Sequence, residues 1–401
     1  MTHATDRLPR AVLLSPSDAA IALARGLRRR LVPVTIVGDP SSHEGWLLRT
    51  RFASTRNVGP LPDARDSWLA CLSDLAQDRD GVLIPGSDRA TEFVIRERPR
   101  IPQCLRSFEG PASAHQRLMH KASLYEWARN QGVRTPWTLQ LRSRGELERA
   151  VEEATYPCLL KPVLSHQWRR LFGLRRVLFL RGPDDLLREA GPPLDAGLEL
   201  LITEHVPGPD RNLEGAVTIR RADGTYVLAY GWTKPRQYPP GFGSGSLHES
   251  AEVPQTTALT KRLLDAAGFV GISAVEFKRH EETGDHVLIE VNVRVPQEFA
   301  LGDVCGTDAS WRLFATLAGI ALPSQPRPVA GAKVVVPSLE PRAVAGSIAN
   351  GGLSFRKLVA SYRGVRSLSG LTWRDPGPIA WLTAHELARG ARFIRDRSRR
   401  T

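Results

Sequence analysis

The chain is poor in lysine, with seven among 401 residues, although lysine and arginine together number 55. The formal net charge of +13 therefore rests almost wholly on arginine. Such a bias reflects composition, and no aromatic–basic nucleic-acid module accompanies it, so no nucleic-acid partner is expected. The basic excess still favours anionic small molecules. No apolar run approaches the ~20 residues that span a bilayer. The first residues, "MTHATDRLPRAVLLSPSDAA", hold too short an apolar core for a secretory signal. The four cysteines, Cys71, Cys104, Cys158 and Cys305, are scattered and form no C-x-x-C pair. That signals neither a disulfide framework nor a zinc site, and it fits a reducing cytoplasm. A G-x-G-x-x-G fingerprint, a G-x-S-x-G elbow and a Cys/His signature are all missing, so neither a dinucleotide site nor a serine or cysteine nucleophile is signalled. There are no internal repeats.

What remains is an ordinary globular composition, 42% hydrophobic and 24% charged, at a length of two or three domains. Residues 11–39 read strand, helix, strand. "DSWLACLSDLAQ" reads as a helix, and "GVLIPGSDRATEFVIRER" as strand, turn and helix. This βαβ series predicts a small parallel α/β domain over residues 1–110, which binds ligands at the carboxyl ends of its strands, near Ser15 and Gly86-Ser87-Asp88. The pattern then changes. A helix covers "HQRLMHKASLYEWARNQGVRTP", closed by Gly132. After it come "YPCLLKPV", "LELLITEHVPG" and a hairpin turning at Asp223-Gly224, then a Gly/Pro/Ser loop "RQYPPGFGSGSLHES" and a helix at 255–267. Residues 111–325 thus read as an α+β domain on an antiparallel sheet. Residues 326–401 form a less patterned tail that ends in a basic amphipathic helix.

The stretch "LIEVNVRV" raises a question. Ile289, Val291, Val293 and Val295 alternate with Leu288, Glu290, Asn292 and Arg294, which is strand period, yet the second face is polar and includes the poor strand former Asn. Paired with "GISAVEFKR" through a three-residue loop Glu282-Thr283-Gly284, it sets Glu276 opposite Glu290 and Ala274 opposite Asn292. Two facing carboxylates repel, so something cationic is expected between them. Two carboxylates and an amide oxygen suit a hard ion such as Mg²⁺ completed by phosphates. A solvated hairpin face with a Glu290–Arg294 surface pair is the plain alternative. A glycosidase-like acid pair is another, but it leaves Asn292 and Arg294 unexplained.

Glu276 followed by E-x-N-x-R (Glu290, Asn292, Arg294) on the neighbouring strand resembles the metal-binding end of the ATP-grasp superfamily. Other pieces follow the family's order. Lys121 opens a helix ending in "QGVRTP". "YPCLLKP" is similar to the family's [FY]-P-x-[VI]-[VL]-K-P strand, with Lys161 as its second nucleotide lysine. "LLITEHVPGPD" resembles the hinge strand that receives adenine. The resemblance covers roughly residues 110–320, with the N-terminal domain as the usual pre-ATP-grasp domain. The loop "RQYPPGFGSG" further resembles the group of predicted ATP-dependent carboxylate–amine ligases. One departure stands out: where many members carry a small Gly/Ser-rich phosphate loop, this chain has "LSHQWRRLFGLRR", in which Arg169, Arg170 or Arg175 would clamp phosphates or select an acidic substrate.

The resemblance implies ATP as co-substrate with Mg²⁺ or Mn²⁺. Lys121 and Lys161 would hold phosphates, the backbone of Glu204, His205 and Val206 the adenine edge, and Asp210 the ribose. Glu276, Glu290 and Asn292 would ligate the metal. Arg294 would bind the acyl phosphate, and Lys234 or Arg236 the transferred phosphoryl group, with loop anchoring as the alternative for Arg236. It implies that a substrate carboxylate is phosphorylated and then attacked by an amine to form an amide. A non-amine acceptor, kinase activity, or an inactive nucleotide-binding protein are the alternatives left open. The final helix, with Trp381, Leu382, Leu387, Phe393 and Ile394 opposite Arg389, Arg392, Arg395 and Arg399, is read first as a core cover, then as a homodimer contact, then as a peripheral membrane anchor.

Overall fold

The structure is a computed structural model and describes residues 8–163 and 177–384. Its first unit is a parallel sheet of β1 (Arg10–Leu14), β2 (Val34–Gly38), β3 (Ser54–Asn57), β4 (Gly81–Pro85) and β5 (Leu105–Arg106), in the order β3-β2-β1-β4-β5. The central strands are nearly unbroken Val, Ile and Leu because both of their faces are covered. Ala11, Leu13 and Ile36 pack toward the helix Asp18–Arg28, and Val12, Leu14 and Val37 pack toward Trp68, Leu72 and Phe93. The helices Asp18–Arg28 and Asp88–Glu97 start where β1 and β4 end. Ser17 and Ser87 cap them by accepting from the N–H of Ala20 and Ala90. Ser15 and Ser87 hydroxyls meet at 2.9 Å across the two strand ends.

A small antiparallel sheet follows, from β6 (Thr138–Leu141), β7 (Cys158–Pro162), β8 (Leu178–Leu180) and β9 (Leu200–Glu204), in the order β6-β9-β7-β8. The large sheet has β10 (Leu213–Arg220), β11 (Tyr226–Tyr238), β12 (Ser244–Ser250), β13 (Gly271–Arg279), β14 (His286–Asn292), β15 (Lys333–Val335) and β16 (Val365–Ser367), in the order β14-β13-β10-β11-β12-β15-β16. One face of this sheet, through Val217, Tyr230, Trp232 and Ile272, shares a core with the helix Asp18–Arg28 and so locks it to the N-terminal unit. The other, through Val275, Phe277, Leu288 and Val291, packs on Leu118, Leu124, Tyr125 and Leu264.

Two local expectations change. The helix expected across 115–132 is two helices, Ala112–Met119 and Lys121–Asn130, with His120 extended between them. The Gly/Pro loop shrinks to residues 239–243, because β11 runs on to Tyr238 and β12 starts at Ser244. Gly243 is required there: a Cβ would lie 2.0 Å from the Tyr238 backbone. The tail is not separate from the sheet, since β15 and β16 extend its edge; they are three residues each, too short to carry a period. The final helix is described only to residue 384. Trp381 stacks on Trp46 at 5.5 Å and 4°, and Leu382 packs on the core. The residues Leu387, Arg389, Arg392, Phe393, Ile394, Arg395 and Arg399, and the basic segment with His166, Arg169, Arg170 and Arg175, lie outside the described residues. No helix among the described residues is long and apolar enough to cross a membrane.

Candidate functional site

The hairpin β13–β14 carries the carboxylates. Glu276 pairs with Glu290 and Ala274 with Asn292, in the register expected from the sequence, but by a different route. His280 N–H bonds Asp285 O, so the turn holds four residues, and Gly284 has a φ of +73°. The near end of the hairpin is offset by one residue, and a bulge at Ile289 restores the register at Glu290. The bulge also changes which side chains are buried. Leu288, expected on the polar face, joins Val291 in the core, while Ile289 is only half-buried. The Ile289 carbonyl accepts from Tyr125 Oη at 2.7 Å.

The cationic charge between the two carboxylates comes from lysines. Lys234 Nζ on β11 lies 2.7 Å from Glu276 Oε2, with side chains 7% and 10% exposed. Lys121 Nζ, at the start of its helix, lies 3.4 Å from Glu290 Oε2. Burial works against Glu290's charge, but Lys121, Lys234 and the Asn292 bond overcome it and hold the carboxyl down at about 2. Glu276 is shifted the other way: burial outweighs Lys234 and raises its pKa. Along β14 the polar row is a relay. Asn292 Nδ2 donates to Glu290 Oε1 at 3.1 Å, and Arg294 Nη2 donates to Asn292 Oδ1 at 3.0 Å. Arg294 Nε then donates to Asp88 Oδ1 at 2.8 Å, at the first turn of the N-terminal unit's helix. Thus the row ties the large sheet to a helix of the N-terminal unit.

Lys161 comes from β7 of the small sheet and faces the same charges. It has no ion-pair or hydrogen-bond partner among the described residues. Burial, with Lys121 nearby, pushes its ammonium down to about 7 against the pull of Glu290 and Glu276. An ammonium so placed is short of negative charge, which a phosphate would supply.

The expected adenine and ribose positions lie at the end of β9. Glu204's carboxylate is already engaged, by Arg134 Nη2 and by the Trp137 N–H at 3.3 Å each, which leaves only backbone groups there for a ligand. Val206 is buried. His205 stands edge-on to Phe179 at 5.0 Å and to Phe242 at 6.0 Å, so the residue 239–243 turn lies against this end. Asp210 Oδ1 accepts from Gln237 Nε2 at 2.7 Å, and Gln237 Oε1 accepts from Gly243 N–H at 3.1 Å. A cavity of about 370 Å³ runs along Phe179, Arg181, Arg188, Pro239 and Phe242.

Arg236 does not join this cluster. Its Nε donates to Glu340 Oε1 at 2.9 Å and its Nη2 to Ser361 Oγ at 3.0 Å, while Tyr362 Oη donates to the same Glu340 oxygen at 2.8 Å. Arg236 and Glu340 side chains are 5% and 7% exposed. A guanidinium committed to a buried acid anchors the tail, which is the anchoring role given above as the alternative for Arg236.

Two charged neighbours escape sequence reasoning. Glu298 is buried four residues past Arg294. Burial raises its carboxyl to about 7, reinforced by Glu276 and opposed by its own backbone bond, Lys234 and Arg294. Lys278 is buried two residues past Glu276, near Asp210. Its signal was available, since it is one of the seven lysines.

Glu276, Glu290 and Asn292 fit a hard divalent cation by donor type: two carboxylates and an amide oxygen. No group of three or more His, Cys, Asp and Glu side chains stands ready for a metal among the described residues, so the remaining ligands would be water and phosphate oxygens.

Comparison with protein-family models returns no match, and comparison with curated proteins returns none either. Solved structures do match. N5-carboxyaminoimidazole ribonucleotide synthetase from Thermus thermophilus aligns over 80% of this chain and 81% of its own, with 18% identity and a TM-score of 0.58. The biotin carboxylase–β,γ-ATP complex from Campylobacter jejuni aligns over 82% and 75%, with 15% identity and a TM-score of 0.61. The chain has the ATP-grasp fold. An L-amino acid ligase from Bacillus licheniformis shares this ATP-grasp architecture over 78% of this chain and 75% of its own, at 14% identity and a TM-score of 0.56.

Proposed function

We propose that the protein is an ATP- and Mg²⁺-dependent ligase that activates a small-molecule carboxylate as an acyl phosphate and joins it to an amine. The observation that carries this reading is the convergence of Lys121, Lys161, Lys234, Glu276, Glu290, Asn292 and Arg294, from separate segments of an ATP-grasp fold, on one point. Solved neighbours of the same fold include an ADP complex of a carboxyaminoimidazole ribonucleotide synthetase and a carboxylase domain with MgADP and bicarbonate, which supports the choice of nucleotide and metal.

Glu276, Glu290 and Asn292 would hold the magnesium, which when bound would supply positive charge against the phosphates. The chain's residues do the rest by position. Lys161 gains the negative charge it lacks when a phosphate arrives, and Lys121 faces the same phosphates from the start of its helix, beside Glu290. Lys234 holds Glu276 in place through their 2.7 Å bond. It uses one of its three N–H donors on Glu276 and has no other hydrogen-bond partner among the described residues, so the others can face the transferred group. Arg294 is fixed by Asp88 and Asn292 at the border with the N-terminal unit, where it meets the carboxylate being activated. Asp210 and the backbone from Glu204 to Val206 take the ribose and the base.

The test is an ADP-release screen with ATP, Mg²⁺, candidate carboxylates and amines. ADP formation that needs both a carboxylate and an amine, and that falls by at least about a hundredfold in Glu290→Gln with the circular dichroism unchanged, is the expected result. Wild-type turnover in Glu290→Gln would sink the metal assignment. ADP release without any amine, or none with any substrate, would favour a kinase or an inactive nucleotide-binding protein.

A further inference from the structure

The tail that Arg236 anchors has a surface of one charge sign. Residues 341–374 contain no aspartate or glutamate, and they include Arg342, Arg356, Lys357, Arg363, Arg366 and Arg374. Among the described residues, six of the ten exposed large apolar side chains fall in the same stretch: Ile348, Phe355, Val359, Tyr362, Leu368 and Trp373. Exposed apolar residues scattered singly are ordinary, whereas their concentration marks a surface that meets a partner.

The helix Phe355–Ser361 shows why. Ser354 caps it by accepting from the Lys357 N–H. Phe355, Leu358, Val359 and Tyr362 keep the i, i+3, i+4, i+7 spacing of the stripe that a globular helix turns toward a core. The helix is firmly held. Ser361 Oγ accepts from Arg236 Nη2 at 3.0 Å, Ser361 O accepts from Lys333 Nζ at 3.2 Å, and Tyr362 Oη donates to Glu340. Yet Phe355 and Val359 stay 79% and 53% exposed, and Trp373, which follows the edge strand β16, is 87% exposed. The side chains of Arg356, Lys357, Arg363 and Arg374 have no ion-pair or hydrogen-bond partner among the described residues. A fixed helix with a bare apolar stripe among unpaired cations fits an occupant that is both apolar and anionic.

Charge complementarity chooses that occupant. A second copy meeting this face with its own would set like cations against each other. The chain's last residues bring more of the same sign: residues 385–401 hold Arg389, Arg392, Arg395, Arg397, Arg399 and Arg400 against Glu386 and Asp396. Nucleic acid would satisfy the cations but offers Ile348, Val359 and Leu368 no apolar surroundings. An anionic bilayer answers both needs. Its headgroups meet Lys and Arg, and its headgroup–acyl boundary takes Phe, Trp and aliphatic side chains.

We propose that the face of residues 348–374 docks on an anionic lipid bilayer, with Phe355, Val359 and Trp373 entering the boundary and Arg356, Lys357, Arg363 and Arg374 on the headgroups. The proposal does not depend on the ligase reading. Arg236 ties this face to β11, two residues from Lys234, so docking holds the Lys234–Glu276 cluster at a fixed orientation to the lipid surface.

The experiment sediments the full chain with vesicles of phosphatidylcholine alone and of phosphatidylcholine mixed with phosphatidylglycerol. The variants are Phe355→Ser with Val359→Ser, and Arg356→Glu with Lys357→Glu, and melting temperature and solution mass are followed in parallel. The wild type is expected to bind the anionic vesicles at least about tenfold more tightly than the neutral ones, and to bind them less as salt is raised. Each double variant is expected to lower that affinity about tenfold or more, with the melting temperature unchanged. If the apolar pair of changes does not fold, the charge-reversed pair, at exposed and unpaired side chains, decides. A wild type that does not bind anionic vesicles would overturn the proposal. So would full binding by a folded variant, which would move the lipid contact elsewhere on the chain. A dimer that the variants dissolve, or duplex DNA bound more tightly than the anionic vesicles, would overturn it in favour of self-association or nucleic acid.

Discussion

Lys161 and Lys234 approach the same two carboxylates from different sheets and end in opposite states. Lys234, on the large sheet, lies 2.7 Å from Glu276, and although burial opposes its charge, Glu276 and Glu290 raise its pKa. Lys161, on the small sheet, has no such partner, and burial lowers it to about 7. The difference separates two uses of one residue type. Lys234 completes the protein's own charge balance, whereas Lys161 is left short of an anion and is completed by a ligand. The large sheet is thus a finished electrostatic unit, and the small sheet waits for phosphate.

That contrast can be broken most forcefully by substitution. Lys234→Met leaves Glu276 buried without its partner and is expected to cost ~3–5 kcal/mol of stability in denaturant unfolding. The double variant with Glu276→Gln should recover much of that loss, and a Lys234→Met protein as stable as the wild type would contradict the division. Lys161→Met should melt no lower than the wild type, while MgADP affinity measured by calorimetry falls by about tenfold or more.

A smaller effect sharpens the comparison through pH. Because Lys161's folded pKa lies below its unfolded value, the unfolded chain holds more protons between about pH 7 and 10.5, and stability attributable to this group rises with pH across that window. Melting curves of the wild type minus Lys161→Met should show that rise. Glu298 gives the opposite sign: its raised pKa means that its contribution falls as pH climbs from 4.5 to about 7, and Glu298→Gln should remove that fall. At pH 8, MgADP binding should take up protons in the wild type but not in Lys161→Met, which titrations in buffers of different ionisation enthalpy would reveal. Smallest is Phe242→Ala. It removes ring contacts to Phe179 and His205 at 6.0 Å and is expected to raise KM for ATP about two- to fivefold, with kcat unchanged.

The parts of the fold that were legible in the sequence share a cause. Alternation in "LIEVNVRV" and the glycine of the neighbouring turn place Glu276 opposite Glu290, because register is a local property of a hairpin. The βαβ series and its serine caps announce the N-terminal sheet in the same way. The family resemblance singles out Lys121, Lys161 and Lys234, which the fold does gather. What was not legible depends on partners distant in the chain. Arg236 meets Glu340, 104 residues away, and nothing near Arg236 marks that pairing. Arg294 reaches back 206 residues to Asp88. Nothing in "VPQEFA" marks Glu298, whose raised pKa comes from burial, reinforced by Glu276. The bulge at Ile289 is invisible because two offsets cancel: the turn is one residue longer than expected, and the bulge restores the register. The tail's strands are too short to show a period at all.

The central claim is that Glu290 and Glu276 form a metal-dependent nucleotide end. The most direct measurement is calorimetric titration of ADP into the wild type and Glu290→Gln, each with and without Mg²⁺. The assignment predicts binding that Mg²⁺ strengthens at least about tenfold in the wild type and leaves unchanged in Glu290→Gln. Equal binding by both proteins, with the same response to Mg²⁺, would contradict it.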